Sequence, residues 1–151
     1  QVLGIEDDCV VEGLASCQLP GMRLRTVEHD GVTWINDAYN ANPDSVKALL
    51  DLLASAPHGG GHLHIVLGDM LELGPDTAQY HATALAYACE RLPGARILPF
   101  GPLMAQAVRS FDLDAFEDIE DLRQHLTTHV AAGDLIAVKG SRGMALERLI
   151  P

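Results

Sequence analysis

Val32 to Ser45 reads Val-Thr-Trp-Ile-Asn-Asp-Ala-Tyr-Asn-Ala-Asn-Pro-Asp-Ser. It opens as an apolar, β-branched run, and Val32 to Ile35 suits a buried strand. It closes as a polar turn that starts a helix. Asn42 is placed to cap that helix, Pro43 suits its first turn, and Asp44 puts negative charge where the helix dipole favours it. Between strand and helix, Asn36, Asp37, Tyr39 and Asn40 crowd polar groups just past the strand end. Capping accounts for Asn42, Pro43 and Asp44, but not for Asp37, Tyr39 and Asn40. Strand, polar loop and helix N-terminus in succession is where open α/β sheets bind ligands.

Upstream, Met22 to Glu28 alternates as a strand does, and Glu28-His29-Asp30-Gly31 reads as a hairpin turn around Asp-Gly. Strands joined so tightly must be antiparallel. Leu19-Pro20-Gly21 is a turn or linker signal. Gln1 to Leu19 has a helix-like or irregular pattern.

Downstream, Ser45 to Ala56 carries Val46, Leu49, Leu50, Leu52 and Leu53 at helical spacing. His62 to Leu67 is the next strand, and Gly68 lets the backbone turn at its end, where Asp69 and Glu72 line the crevice or Asp69 caps a turn. Thr77 to Leu92 is an alanine-rich helix in which His81 reads as a hydrogen-bonding residue of the first turns. Arg96 to Phe100 is a short strand. A helix runs from Gly101-Pro102 to about Ser110, Phe111 to Phe116 holds a short strand, and Asp118 to Ala131 forms a further helix, acidic at its start. Leu135 to Val138 is a continuous apolar strand. Lys139-Gly140-Ser141-Arg142-Gly143 follows, then a last short helix from Met144 to Ile150. The expected fold is α/β and Rossmann-like: a mostly parallel sheet, helices on both faces, and an N-terminal antiparallel hairpin.

The chain has 151 residues, 48% apolar and 21% charged, which suits one globular domain with a sizeable core. A net charge of −11 argues against general affinity for nucleic acid or anionic membrane. The three cysteines form no C-x-x-C pair and fit reduced thiols in a cytosolic protein. His62 and His64 share a strand face but have no further ligands at zinc spacing, so no metal site is expected. The longest apolar runs are too short to span a bilayer. The chain starts at Gln1 rather than Met, so it is expected to be a piece of a longer polypeptide. No Gly-x-x-x-x-Gly-Lys-Ser/Thr loop and no Gly-x-Gly-x-x-Gly after a strand occurs, so the chain lacks a phosphate-binding loop of its own.

Three stretches carry a resemblance: Asn36-Asp-Ala-Tyr-Asn-Ala-Asn-Pro-Asp-Ser45, Val66-Leu-Gly-Asp-Met-Leu-Glu-Leu-Gly74 and Val138-Lys-Gly-Ser-Arg-Gly-Met144. Together they resemble the C-terminal domain of the Mur ligases, ATP-dependent enzymes that add amino acids to the peptidoglycan precursor. The Tyr39-to-Pro43 form is most similar to the branch that joins D-alanyl-D-alanine to UDP-N-acetylmuramoyl-tripeptide. The resemblance covers roughly Pro20 to the end. It implies that residues 20–151 are the C-terminal domain and residues 1–19 the tail of a preceding central ATPase domain or a linker, the other reading being an extension packed on the sheet.

In that family ATP phosphorylates the precursor's terminal carboxylate, and the amine of D-alanyl-D-alanine then attacks the acyl phosphate. The phosphate-binding loop and the Mg2+ ligands belong to the central domain, so the resemblance implies a chain inactive alone, with no catalytic residue of its own. It implies ATP contacts at Arg23 (or nearby Arg25), Asn36, Asp37, Tyr39 and Asn40. It implies substrate contacts at Asn42, Asp69, Lys139, Ser141 and Arg142. The Lys139–Arg142 loop suits a carboxylate, either of D-alanyl-D-alanine or of the precursor peptide. The other class of reading is a stand-alone Rossmann-type module that binds a nucleotide or peptide without catalysis.

Overall fold

A computed structural model describes residues 9, 22–56 and 59–151. The expectations for the first nineteen residues, and for the Leu19-Pro20-Gly21 turn, lie outside the described residues except at Cys9. The described strands are β1 (Arg25–His29), β2 (Val32–Asp37), β3 (Leu63–Gly68), β4 (Arg96–Phe100) and β5 (Leu135–Lys139). The helices are α1 (Pro43–Ser55), α2 (Thr77–Arg91), α3 (Pro102–Ala107) and α4 (Ile119–His129). The strands form one sheet in the order β1-β2-β5-β3-β4. β1 is antiparallel to β2, and every other neighbour is parallel. The Rossmann-like α/β expectation with its N-terminal hairpin holds. The hairpin turn puts both Asp30 (φ 50°) and Gly31 (φ 77°) in the left-handed region that a two-residue turn of matching twist requires.

Both faces of the sheet are covered. Side chains of β3 such as Ile65 and Leu67 pack with Leu49, Leu50 and Leu53 of α1, Leu85 of α2 and Met104 of α3. The alternate residues Trp34, Val66, Ile136 and Val138 meet Leu122 and Leu126 of α4 together with Leu146 and Leu149. The mainly apolar runs of β3 and β5 are what burial on both faces demands, and their polar members, His64 and Lys139, are each met by a carboxylate. α1 begins as expected: Asn42 accepts from the Ser45 amide at 2.8 Å, and the Ser45 hydroxyl accepts from the Asn42 amide at 3.1 Å, a reciprocal cap.

At their carboxyl ends β3 and β5 touch backbone to backbone. A Cβ on Gly68 would stand 3.2 Å from the Gly140 Cα and 2.6 Å from a Leu146 methyl, and a Cβ on Gly140 would meet the same methyl at 2.7 Å. Only paired glycines allow this approach, with the Leu146 side chain closing over both.

Three expectations are corrected. The first strand starts at Arg25, not Met22, because Leu24 takes a left-handed conformation (φ 51°) and its amide reaches back to Asp37. Phe111 to Phe116 forms no strand, only a bridge between Phe100 and Phe116. Its Phe111, Leu113 and Ala115 pack on one core and its Phe116 on the other, so the segment crosses the sheet edge from face to face instead of running along it. The last helix is two 3-10 turns, Arg142–Met144 and Leu146–Leu149, separated by Ala145 at φ 50°. That break sets Leu146 over the glycine pair.

Candidate functional site

β5 lies between β2 and β3, and the chain leaves these three strands toward different faces. The loops after β2 and β3 lead into α1 and α2 on one face, while the turns after β5 deliver Leu146 and Leu149 to the other. Diverging loops at the carboxyl ends of parallel strands leave a crevice there. Here the crevice is divided by Tyr39 and Asn40, which line both halves. One half, about 410 Å3, is bounded by Arg23, Asp37, Asn42 and Lys139. The other, about 360 Å3, is bounded by Leu71, Glu72, Ser141, Arg142 and Gly143.

In the first half, the Lys139 ammonium donates to Asp37 Oδ2 at 2.5 Å and to the Asn40 carbonyl at 3.1 Å. Lys139 is 3% exposed and Asp37 15%. A lysine this deep has its charge met at home, which corrects its placement in an open carboxylate cradle with Ser141 and Arg142: Lys139 and Asn42 line the half that holds Arg23 and Asp37. The other carboxylate oxygen of Asp37 accepts the Leu24 amide. The Arg23 guanidinium lies over the Tyr39 ring at 4.4 Å, presenting a cation on an exposed aromatic face. Asn36 is buried and its side chain accepts the Ala38 amide at 3.2 Å, so it shapes the loop from beneath. The Asn40 side chain accepts the Ala41 amide at 2.9 Å.

The second half has a wall that is pinned amide by amide. Asp69 N–H donates to the Phe100 carbonyl, Met70 N–H to His81 Nε2 at 2.9 Å, and Leu71 N–H to the Ser141 hydroxyl oxygen at 2.8 Å. The Ser141 amide returns to the Asp69 carbonyl at 3.0 Å. Asp69, expected at the ligand crevice, is 1% exposed and does not reach the opening. Its two carboxylate oxygens accept the amides of Leu103 (3.1 Å) and Met104 (2.8 Å) at the start of α3. Arg142 stands at the surface, with Nη1 donating to Glu147 Oε1 at 2.9 Å and to Met22 Sδ at 2.8 Å. The second oxygen of Glu147 is buried without a partner among the described residues.

His81 has no exposure, and its partners fix its tautomer. An amide N–H can only donate and a carbonyl can only accept. Nε2, facing Met70 N–H, is therefore the bare acceptor, and Nδ1–H donates to the Thr77 carbonyl at 2.7 Å. The residue is a hydrogen-bonder, as its position in the first turns of α2 suggests.

Residues 22–142 match the family described as Mur ligase, glutamate ligase domain. The chain belongs to the Mur ligase family. It is 36% identical, over 97% of its length, to a UDP-N-acetylmuramoyl-tripeptide--D-alanyl-D-alanine ligase of Bacillus subtilis, of which it covers 34%. A protein of the same name from Treponema pallidum is 38% identical over 80% of the chain, which covers 27% of that protein. A crystal structure of MurF from Acinetobacter baumannii superposes on 98% of the chain with a TM-score of 0.82 at 29% identity, the chain covering 33% of it. MurF ligase from Thermotoga maritima in complex with ADP gives a TM-score of 0.75 at 26% identity, over 94% of this chain and 34% of that one. The chain thus spans about a third of the length of the curated Mur ligases it matches first.

Within this Mur ligase domain the expected site residues divide. Arg23, Asp37, Tyr39 and Asn40 come together, joined by Asn42 and Lys139, while Ser141 and Arg142 lie across the ridge and Asn36 and Asp69 sit underneath. Sequence reasoning missed the hold of Glu147 on Arg142 and the reach of His81 to Met70. The first had a signal in the charge spacing of five residues; the second joins positions eleven apart across a turn and had none.

Proposed function

We propose that this chain is the C-terminal domain of an ATP-dependent ligase that adds D-alanyl-D-alanine to UDP-N-acetylmuramoyl-tripeptide in peptidoglycan synthesis. The observation that carries this reading is the two-sided crevice in a chain so similar to ligases of that name. One half offers a cation on an aromatic face, Arg23 over Tyr39, suited to a nucleotide's base and phosphate ends. The other offers Arg142 over a pinned wall, suited to a small carboxylate substrate. Residues 1–19 are then the tail of a central ATPase domain or a linker, and residues 20–151 the C-terminal domain.

ATP, when bound, supplies the phosphoryl group that activates the acceptor carboxylate. On the side of this chain, Arg23, Tyr39 and Asn40 would contact it, with Asp37 and Lys139 fixing the loop that carries them. Among the described residues no group of three His, Cys, Asp or Glu could hold a metal ion, and a need for Mg2+ rests on the family resemblance. Its ligands are expected in the central domain. What this domain contributes is orientation and exclusion of water when it closes over the nucleotide. No helix among the described residues is long and apolar enough to cross a membrane. We read the compartment as the cytoplasm, and the process as the cell-wall synthesis on which shape and division depend.

The test compares this chain alone with the intact polypeptide that contains it. The isolated chain releases no phosphate from ATP, with or without both substrates. The intact polypeptide releases it only when UDP-N-acetylmuramoyl-tripeptide and D-alanyl-D-alanine are both present. Dipeptide-dependent phosphate release by the isolated chain, or its absence from the intact one, would overturn the reading.

A further inference from the structure

Glu72 ends the pinned wall in a conformation that its side chain does not favour. Its φ is 63°, in the left-handed region that strains a non-glycine residue. A turn at this point could use glycine, as Gly74 does two residues later at φ 70°. The strain persists because the preceding three amides are tied to three separate elements: Phe100 of β4, His81 of α2, and Ser141 after β5. The result is an exposed carboxylate in the same half-crevice as the Arg142 guanidinium. Arg142 is steadied there by Glu147 through Nη1. The exposed apolar surfaces of Leu71 (39%) and Tyr39 (40%) line the same half-crevice as the two charges.

An anion, a cation and two apolar surfaces in one small depression match a zwitterion with small apolar side chains. We propose that Glu72 is the anionic half of a zwitterion site, holding the ammonium end of a short peptide whose carboxylate goes to Arg142. This rests on the reading that the Arg142 half of the crevice takes the amino substrate. It adds that the amino end is recognised too, at the rim, where Glu72 is exposed and a closing neighbour domain would meet it. The methyl groups of D-alanyl-D-alanine would face Leu71 and Tyr39. Glu72 is a specificity residue in this proposal, and His81 and Ser141 are positioning residues that act through the Met70 and Leu71 amides.

The experiment uses the intact ligase with Glu72→Gln, Glu72→Asp, Glu72→Gly and, as reference, Arg142→Ala. Steady-state kinetics are run with each substrate varied in turn, and N-acetyl-D-alanyl-D-alanine, which has no ammonium, serves as a competitive inhibitor. Glu72→Gln should raise KM for D-alanyl-D-alanine about tenfold, the scale of one charge-assisted hydrogen bond, while KM for ATP and for the UDP-tripeptide stays put. Glu72→Asp should recover part of the loss. Glu72→Gly, which relieves the backbone, should behave as Glu72→Gln does, because the missing group is the carboxylate. The acetylated dipeptide should inhibit wild type and Glu72→Gln equally. An unchanged dipeptide KM in Glu72→Gln or Glu72→Gly, beside a raised one in Arg142→Ala, overturns this proposal and leaves the assignment of the crevice standing. An unchanged dipeptide KM in Arg142→Ala as well overturns both. An equal rise for all three substrates, or weaker inhibition of Glu72→Gln by the acetylated dipeptide, returns Glu72 to a purely structural role.

Discussion

A buried polar pair holds each end of β5, a histidine–carboxylate hydrogen bond at one and a lysine–carboxylate ion pair at the other, and they differ in what surrounds them. At the amino end Asp134, just before the strand, meets His64 Nε2 of β3 at 3.2 Å. Both side chains are 4% exposed or less. Asp134 also accepts the amides of His62 (2.7 Å) and Ala131 (3.0 Å), while His64 Nδ1 is buried without a partner among the described residues. At the carboxyl end Lys139 meets Asp37 of β2, in the wall of a 410 Å3 depression. The first pair is sealed, and the residues whose amides it fastens, His62 and Ala131, line neither half of the crevice. The second joins strands and also fixes the Asn40 carbonyl, in the loop that carries Tyr39, and the Leu24 amide, next to Arg23 ahead of β1. A buried charge is weak evidence of function on its own; the loops fastened to it separate the two cases.

The largest expected effect comes from breaking the pair at the crevice. Lys139→Met leaves Asp37 without its counter-charge and should lower unfolding free energy by about 3–5 kcal/mol in urea titration. Adding Asp37→Asn to Lys139→Met should recover most of that loss. A single variant within about 1 kcal/mol of wild type would mean that solvent already compensates Asp37, and the contrast with the sealed pair would lose its basis.

Asp134→Ala, at the sealed end, orphans two amides and His64 and should cost about 2–4 kcal/mol of stability. The kinetics of the intact ligase, per folded molecule, should not change. A shifted KM for ATP in Asp134→Ala would erase the functional distinction between the ends.

Arg23→Ala and Asp37→Ala should each raise KM for ATP and lower kcat, by about 1.5–3 kcal/mol of apparent transition-state stabilisation per charge-assisted contact. Normal ATP kinetics in both variants would remove the nucleotide from that half of the crevice.

The smallest effect is a pH dependence. Burial holds the His64 imidazole below its ordinary 6.5, against the pull of Asp134. The unfolded chain therefore takes up a proton that the folded chain resists, so this stability is complete above pH 6.5 and falls as pH drops below it, by at most about 1.4 kcal/mol per pH unit. Asp134 acts in a lower window. Burial alone would raise its carboxyl, but the Ala131 and His62 amides and His64 outweigh that and leave it below 3.8. Urea midpoints of wild type and His64→Gln at pH 7 and pH 5 check the first window, and the variant should lose less on acidification.

Much of the fold was legible because its signals are local. Asn42, Pro43 and Asp44 mark a helix start within a few residues, Asp30-Gly31 marks a turn, and β5 reads as buried through the continuous apolar run Leu135 to Val138. The site was legible as a set of residues but not as a geometry. Lys139 and Asp37 are 102 positions apart, so nothing in either motif says that the lysine is already paired. Asp69 caps a helix that begins more than thirty residues later, and the same carboxylate read locally looks available. The failed strand at Phe111 to Phe116 alternates correctly, yet its apolar residues serve two different cores. The final helix fails at Ala145, where the need to lay Leu146 over two glycines overrides helix propensity.

The contact of Gly68 with Gly140 has a mechanical consequence. The Glu72 wall springs from the end of β3 and the Arg142 wall from the end of β5, and the two strands are fused at that level with no side chain between their backbones. The opposite jaws of the half-crevice therefore share one anvil. In the closure proposed above, both jaws would travel together, and their gap would be a machined dimension set at folding, not a grip that tightens on its load. Gly140→Ala is the way to spring that gap: it should push the jaws apart and, on the proposed reading, loosen the hold on substrate without blocking closure.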